Sequence, residues 1–123
     1  MVLIDPSYEI KHDYDTVVAA LEDALTRFAT GCYLVWYPVL ANGGSRSLPR
    51  RLQALAGDAH SWLHARLDVT LPAADGFGMT GSGMFVVNPP YTLRDTLAQA
   101  LPWLVERLGT HEGARFELDG QQL

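Results

Sequence analysis

Asp5-Pro6-Ser7-Tyr8 is the tetrapeptide of this chain whose residue types and spacing could do chemistry. An amine on an aromatic ring, such as the exocyclic amine of adenine, is a poor nucleophile because its lone pair is delocalised into the ring. A site that accepts hydrogen bonds from both amine protons lets that nitrogen rehybridise towards an attacking geometry. The Asp5 carboxylate and the Pro6 carbonyl could be the two acceptors. Tyr8 could stack on the face of the base, since an enzyme that acts on a base takes it out of its helix. The competing reading is structural: a strand end followed by a proline turn, with Asp5 satisfying nearby backbone donors.

Other candidates are weaker. Asn88-Pro89-Pro90-Tyr91 has a similar shape, but prolines just ahead of a helix have a plain structural job. His60 and His64 have the i, i+4 spacing of helical metal ligands, yet they fall on a strand pattern without an acidic or thiol partner nearby. They read as surface or packing histidines, and no metal site is expected. Arg46, Arg50 and Arg51 form the one basic cluster. It reads as a solvated face, with contact to RNA as the alternative. Cys32 is the only cysteine, lies in an apolar run and reads as a buried thiol acting as a small hydrophobe.

These residues need elements to position them. Val2 to Asp5 reads as a buried strand running straight into the tetrapeptide. A helix with Asp13 as N-cap follows, carrying Tyr14, Val17, Val18, Leu21, Leu25 and Phe28 at helical spacing and stopped by Gly31. "CYLVWYPVL" reads as a second buried strand, ended by Pro38. "ANGGS" reads as a loop, and a short helix spans roughly Ser47 to Ala56 with Pro49 in its first turn. In "HSWLHARLDVTLP" the alternation predicts a one-sided strand: Leu63, Ala65, Leu67, Val69 and Leu71 face one way, His64, Arg66, Asp68 and Thr70 the other. A helical extension through Ala59 and Leu63 competes, interrupted by Gly57-Asp58. "AADGFGMTGSG" reads as the turn of a hairpin into the strand "MFVVN". The last helix spans about Thr92 to Leu108, its leucine stripe packing in the core, with Pro102 bending or splitting it. "ARFEL" is a possible final edge strand. The order β-α-β-α-β-β-α, with one more β possible, implies one compact α/β domain over residues 1–123. Its sheet is mixed and carries a late antiparallel hairpin.

Composition bounds the function. At 123 residues the chain is long enough to bury a real core. Nine Lys+Arg against 14 Asp+Glu give a net charge of −5, which argues against strong binding of a phosphate backbone by cations alone. No basic leader with an apolar stretch opens the sequence, and no apolar run is long enough to span a bilayer, so the expected location is the cytoplasm.

"VLIDPSYE" at the start, the run from Phe28 to Val39, "GMTGSGMFVVNPPY" at 78–91 and "LPWL" at 101–104 together resemble one family in collinear order. It is that of the bacterial 23S ribosomal RNA adenine-N6 methyltransferases, ribosomal RNA large-subunit methyltransferase J. The resemblance covers the carboxyl-terminal half of that family. It implies a Rossmann-like fold, S-adenosylmethionine as cofactor, 23S ribosomal RNA as partner, and Asp5, Pro6 and Tyr8 as the residues that hold and activate the target amine. Ser7 stands where the family has a second proline; both proposed acceptors survive that change. The family's cofactor loop and first three strands precede the motif, so most of the cofactor site is expected outside this chain. The glycine-rich "GFGMTGSG" precedes a strand and opens no helix, so it is no dinucleotide fingerprint. Two further expectations follow. The strand carrying the motif should show an unpaired apolar edge through which the chain forms a homo-oligomer. The rival to an enzyme is a truncated, non-catalytic remnant that folds by such association.

Overall fold

Two apolar segments, Val2–Ile4 (β1) and Tyr33–Val39 (β2), pair in parallel, and the helix His12–Arg27 (α1) joins them. The computed structural model describes residues 1–110 and 113–123. After β2 come α2 (Gly43–Ala56), β3 (Trp62–Asp68), β4 (Gly81–Val87), α3 (Leu93–Leu108) and β5 (Arg115–Gln121). The strands form one mixed sheet in the order β1-β2-β4-β3-β5. β4 is antiparallel to both β2 and β3, and β5 is antiparallel to β3. The element order read from the sequence is the one observed, and "ARFEL" does form the last edge strand.

Helices cover both faces. On one face α1 and α2 bury Tyr14, Val17, Leu21, Leu48 and Leu52 against Tyr33, Val35, Tyr37, Phe85 and Val87 of the sheet. On the other, α3 lies over β3 and β5, and Leu63, Val86 and Leu101 are buried there. The helical rows of α3 turn Leu93, Leu97, Leu101 and Leu104 inward as core packing, as expected, whereas Leu108 at the end of the stripe is exposed.

Several boundaries differ from the sequence reading, each for a local reason. Lys11, not Asp13, takes the N-cap position of α1; Asp13 and Asp15 sit in the first turn, where their charge suits the helix dipole. That helix stops at Phe28 rather than Gly31, because the Tyr33 hydroxyl lies 2.8 Å from the Phe28 carbonyl and draws the chain back towards the sheet. Pro38 does not end β2. Its carbonyl accepts the Ser45 hydroxyl at 2.8 Å, so residue 38 points away from β4, towards the side where β1 has already stopped at Ile4. No ladder bond is lost there.

The glycines of "ANGGS" are helical, and α2 opens at Gly43 because the Asn42 side chain caps it, accepting the Ser45 N–H at 2.7 Å. Gly81 and Gly83 belong to β4 and not to the hairpin turn. A Cβ at Gly83 would run into the ring of Tyr37, which lies across it. Pro102 does not split α3: it and Ala98, whose carbonyl loses its partner, are both exposed, so water can satisfy that oxygen. The polar side of β3 is not its solvent side either. Asp68 is 4% exposed, held by Arg66 at 3.0 Å and Arg115 at 3.4 Å. Finally, β1 is no buried strand. Among the described residues only β2 pairs with it, and Val2 and Leu3 are 48% and 60% exposed.

Candidate active site

β1 delivers the tetrapeptide to the carboxyl edge of the parallel pair, the side of an open α/β sheet where ligands gather. Asp5 and Ser7 are exposed and Pro6 is half-buried. Tyr8 is different: it is 5% exposed and its backbone is left-handed, with φ +57°. A non-glycine residue holds that conformation only when its surroundings fix it. Here the Tyr8 hydroxyl donates to the Trp36 carbonyl at 2.6 Å, and its ring packs on Tyr14 with centroids 4.9 Å apart. Burial, then the neighbouring Tyr14 and Asp5, push the phenol far above its ordinary range, so it stays protonated and donates.

The stack continues outward. Gly44 presses on the Tyr14 ring so closely that a Cβ there would sit 2.6 Å from Tyr14 Cδ2. The Tyr14 hydroxyl is buried without a hydrogen-bond partner among the described residues. Gly44 is held by a latch at the end of β2: the Ser45 hydroxyl donates to Pro38 and accepts the Leu40 N–H at 3.1 Å. Between these parts lies a cavity of about 580 Å³, lined by Tyr8, Lys11, Tyr14, Asn42, Gly44 and Arg51. Tyr8 is the member of the tetrapeptide that lines it; Asp5 and Pro6 belong to the same loop but lie outside the lining.

The other sequence candidates are dispersed. Arg51 pairs with Asp15 at 2.8 Å beside this cavity, Arg46 lines a different one on the far side of α2, and Arg50 is exposed. Asn88 is fully engaged: its Nδ2 donates to the carbonyls of Ala29 (2.9 Å) and Gly31 (2.8 Å), and its Oδ1 lies 3.2 Å from His60 Nδ1. That fits the structural role read for Asn88-Pro89-Pro90-Tyr91. His60 and His64 have separate partners, since His64 Nε2 sits 2.6 Å from the Tyr37 hydroxyl. Cys32 is half-buried just ahead of β2. Nothing in the sequence marks Tyr14 and Gly44 as supports of Tyr8, because a core tyrosine and a loop glycine look ordinary until the fold stacks them.

The family model described as "Ribosomal RNA large subunit methyltransferase D, RlmJ" matches residues 1–118. The chain belongs to this family. Its relatives include the "Ribosomal RNA large subunit methyltransferase J" of Haemophilus influenzae, 44% identical over 108 residues that make up 88% of this chain and 37% of that one. The protein of the same name from Escherichia coli is 42% identical over 88% of this chain and 38% of its own length. A crystal structure of a Legionella pneumophila protein described by the family-model DUF519 superposes with a TM-score of 0.84 at 27% identity. It is matched over 98% of this chain and 43% of that one. The chain therefore spans under half the length of the RlmJ relatives and of this solved structure.

S-adenosylmethionine, which the family implies, does not fit the residues present. The passage from strand to helix that carries glycines, Leu40 to Gly44, is filled by the chain itself: Asn42 caps α2 and Gly44 lies on Tyr14. The glycine-rich 76–83 segment is hairpin loop and strand. Neither makes a cradle for the cofactor.

Proposed function

We propose that this chain is the base-recognising part of an S-adenosylmethionine-dependent methyltransferase that modifies the exocyclic N6 amine of an adenine in 23S ribosomal RNA. The observation that carries the reading is the position of Asp5-Pro6-Ser7-Tyr8: on a loop immediately past β1, at the carboxyl edge of a parallel pair, with Tyr8 locked by Trp36 and Tyr14. A β-α-β unit followed by a late antiparallel hairpin supports placing it in the carboxyl-terminal half of a Rossmann-like methyltransferase.

In this reading the Asp5 carboxylate and the Pro6 carbonyl accept the two amine protons. Tyr8, held neutral and fixed, offers a ring edge to the base rather than a free hydroxyl to the chemistry. Lys11, Arg46, Arg50 and Arg51 contribute to holding RNA. The exposed outer edge of β1 supports association of two copies. Such a domain works in the cytoplasm, where ribosomal RNA is made in bacteria.

The test is a chimera that joins this chain to the amino-terminal part of the Haemophilus influenzae relative. Asp5→Asn should lower methyl transfer to 23S ribosomal RNA by a factor on the order of 100 or more, as loss of a preorganised hydrogen-bonding group does. Cofactor affinity should stay within about twofold, since Asp5 is assigned to the base. A chimera that methylates normally with Asn at position 5 would sink the reading.

A further inference from the structure

A second cavity lies on the other side of the first turn of α2 from the one that Tyr8 lines. It measures about 330 Å³ and is bounded by Tyr37 and Val39 of β2, Arg46 and Pro49 of α2, Arg66 of β3 and Pro72 of the hairpin loop. Gly76 and Gly78 complete its wall with positive φ of 74° and 97°, a conformation that lets bare backbone curl over a ligand. Its size is at the low end for small-molecule sites, roughly 300–1,000 Å³, which suits one nucleotide and no folded element.

Its charge is what separates it from its neighbour. No acidic side chain is among the described residues that line it, although the chain as a whole carries −5. Arg46 makes no ion pair among the described residues. Arg66 spends Nε and Nη2 on Asp68, at 3.0 and 3.2 Å, and its Nη1 makes no hydrogen bond among the described residues. Asp68 also receives Arg115, so two cations share one buried carboxylate and the cluster keeps a positive excess. Glu117, opposite Arg66 on β5, formally balances that excess from outside the cavity, so the uncompensated cation of the lining is Arg46. A lining that combines two arginines with the apolar Val39, Pro49 and Pro72 matches a phosphate attached to a base and a sugar.

We propose that this cavity holds the nucleotide of single-stranded RNA that flanks the target adenine, with its phosphate on Arg46 and Arg66 and its base or ribose against Val39, Pro49 and Pro72. The inference rests on reading Asp5-Pro6-Ser7-Tyr8 as the adenine site: Tyr8 of that loop lines the first cavity, and the two cavities flank one turn of α2. An RNA strand entering the first cavity would cross that turn to reach the second.

The experiment titrates isotope-labelled chain with the adenylate trinucleotide ApApA and, separately, with adenosine monophosphate, following backbone amides by NMR. The trinucleotide should shift Leu40, Arg46, Gly76, Gly78 and Thr80. Arg46→Ala should weaken its binding about tenfold, the scale of one charge-assisted contact, and reduce the slope of log affinity against log salt by about 1. Arg107→Ala, the same charge removed from the outer face of α3, should stay within about twofold. Arg46 is exposed and its side chain has no partner among the described residues, so the variant keeps its fold. Shifts confined to the Tyr8 cavity, with Arg46→Ala binding normally, would overturn the flanking site while leaving the adenine reading intact. Equal affinity for the free mononucleotide would overturn the assignment to RNA, and no shift with either ligand would overturn the proposal outright. The chimera's methyl transfer decides the adenine reading independently.

Discussion

The Tyr8 hydroxyl donates a 2.6 Å hydrogen bond to the main-chain carbonyl of Trp36, and this bond ties the candidate motif to the middle of β2. It is what allows a tyrosine to sit at φ +57°. The motif loop is therefore fixed by a contact with no counterpart in the motif's own four residues.

Removing that bond should be costly. Tyr8→Phe keeps the ring on Tyr14 but leaves the Trp36 carbonyl without its donor in a part-buried setting. The expected loss is about 1–2 kcal/mol of stability, read from urea unfolding. An unchanged midpoint would mean that the ring contacts alone hold the loop.

Asn88 should prove structural. Asn88→Ala deletes both donations to the α1–β2 turn and puts alanine at φ +55°, together about 2–3 kcal/mol. Asn88→Gly should recover the backbone share of that loss. In the chimera, methyl transfer per folded molecule should survive Asn88→Ala. If it disappears while folding is intact, the Asn88-Pro89-Pro90-Tyr91 segment does chemistry after all.

The contrast between these two residues shows what could be read in advance. The order of elements was legible because apolar runs and helical spacing report burial directly, and Asp5, Pro6 and Tyr8 were legible because they are contiguous. Pro38 inside β2, Gly43 inside α2 and the buried Asp68 were not. Pro38 and Asp68 depend on what lies across the sheet, a strand that stops early and a second arginine on β5, and Gly43 depends on the Asn42 side chain folding back to cap α2. The three arginines were grouped by sequence and separated by the fold, because Arg46 and Arg51 leave α2 towards different cavities.

Gly83 should tolerate no side chain. The Tyr37 ring lies where a Cβ would go, and Tyr37 is held by His64 on β3. Gly83→Ala forces the ring to move and should destabilise by about 1–3 kcal/mol in thermal or urea unfolding. A neutral outcome would show that the ring swings aside freely.

The same pair predicts a pH dependence. Burial lowers the pKa of His64 below its ordinary 6.5, and Glu117 only partly opposes this. The unfolded chain then binds a proton that the folded chain refuses, so stability rises with pH in that window. Stability should be fully present above about pH 6.5 and should fall as the pH drops towards the lowered folded value. His64→Gln, which keeps a polar atom for the Tyr37 hydroxyl, should flatten the change between pH 7 and pH 5. Equal slopes in both proteins would remove His64 as the cause.

The edge of β1 carries the last prediction. Its three residues pair with Tyr33–Val35 on one side, and the sheet has no strand beyond them among the described residues. Val2 N–H faces inward to the Cys32 carbonyl, so the Leu3 N–H and C=O face the open side, beside Met1, Val2 and Leu3 at 95%, 48% and 60% exposure. An apolar edge without a lysine, a bulge or a covering loop is a template for pairing. A two-fold arrangement would use the edge of both copies in one closed contact, so the isolated chain should sediment as a dimer at micromolar concentration. Leu3→Lys puts a charge in the middle of the edge without touching the main core, and should shift the chain to monomer at unchanged unfolding midpoint when both are measured dilute. If the parent chain is a monomer whose Val2 to Ile4 amides exchange as fast as free peptide, the open edge needs no partner.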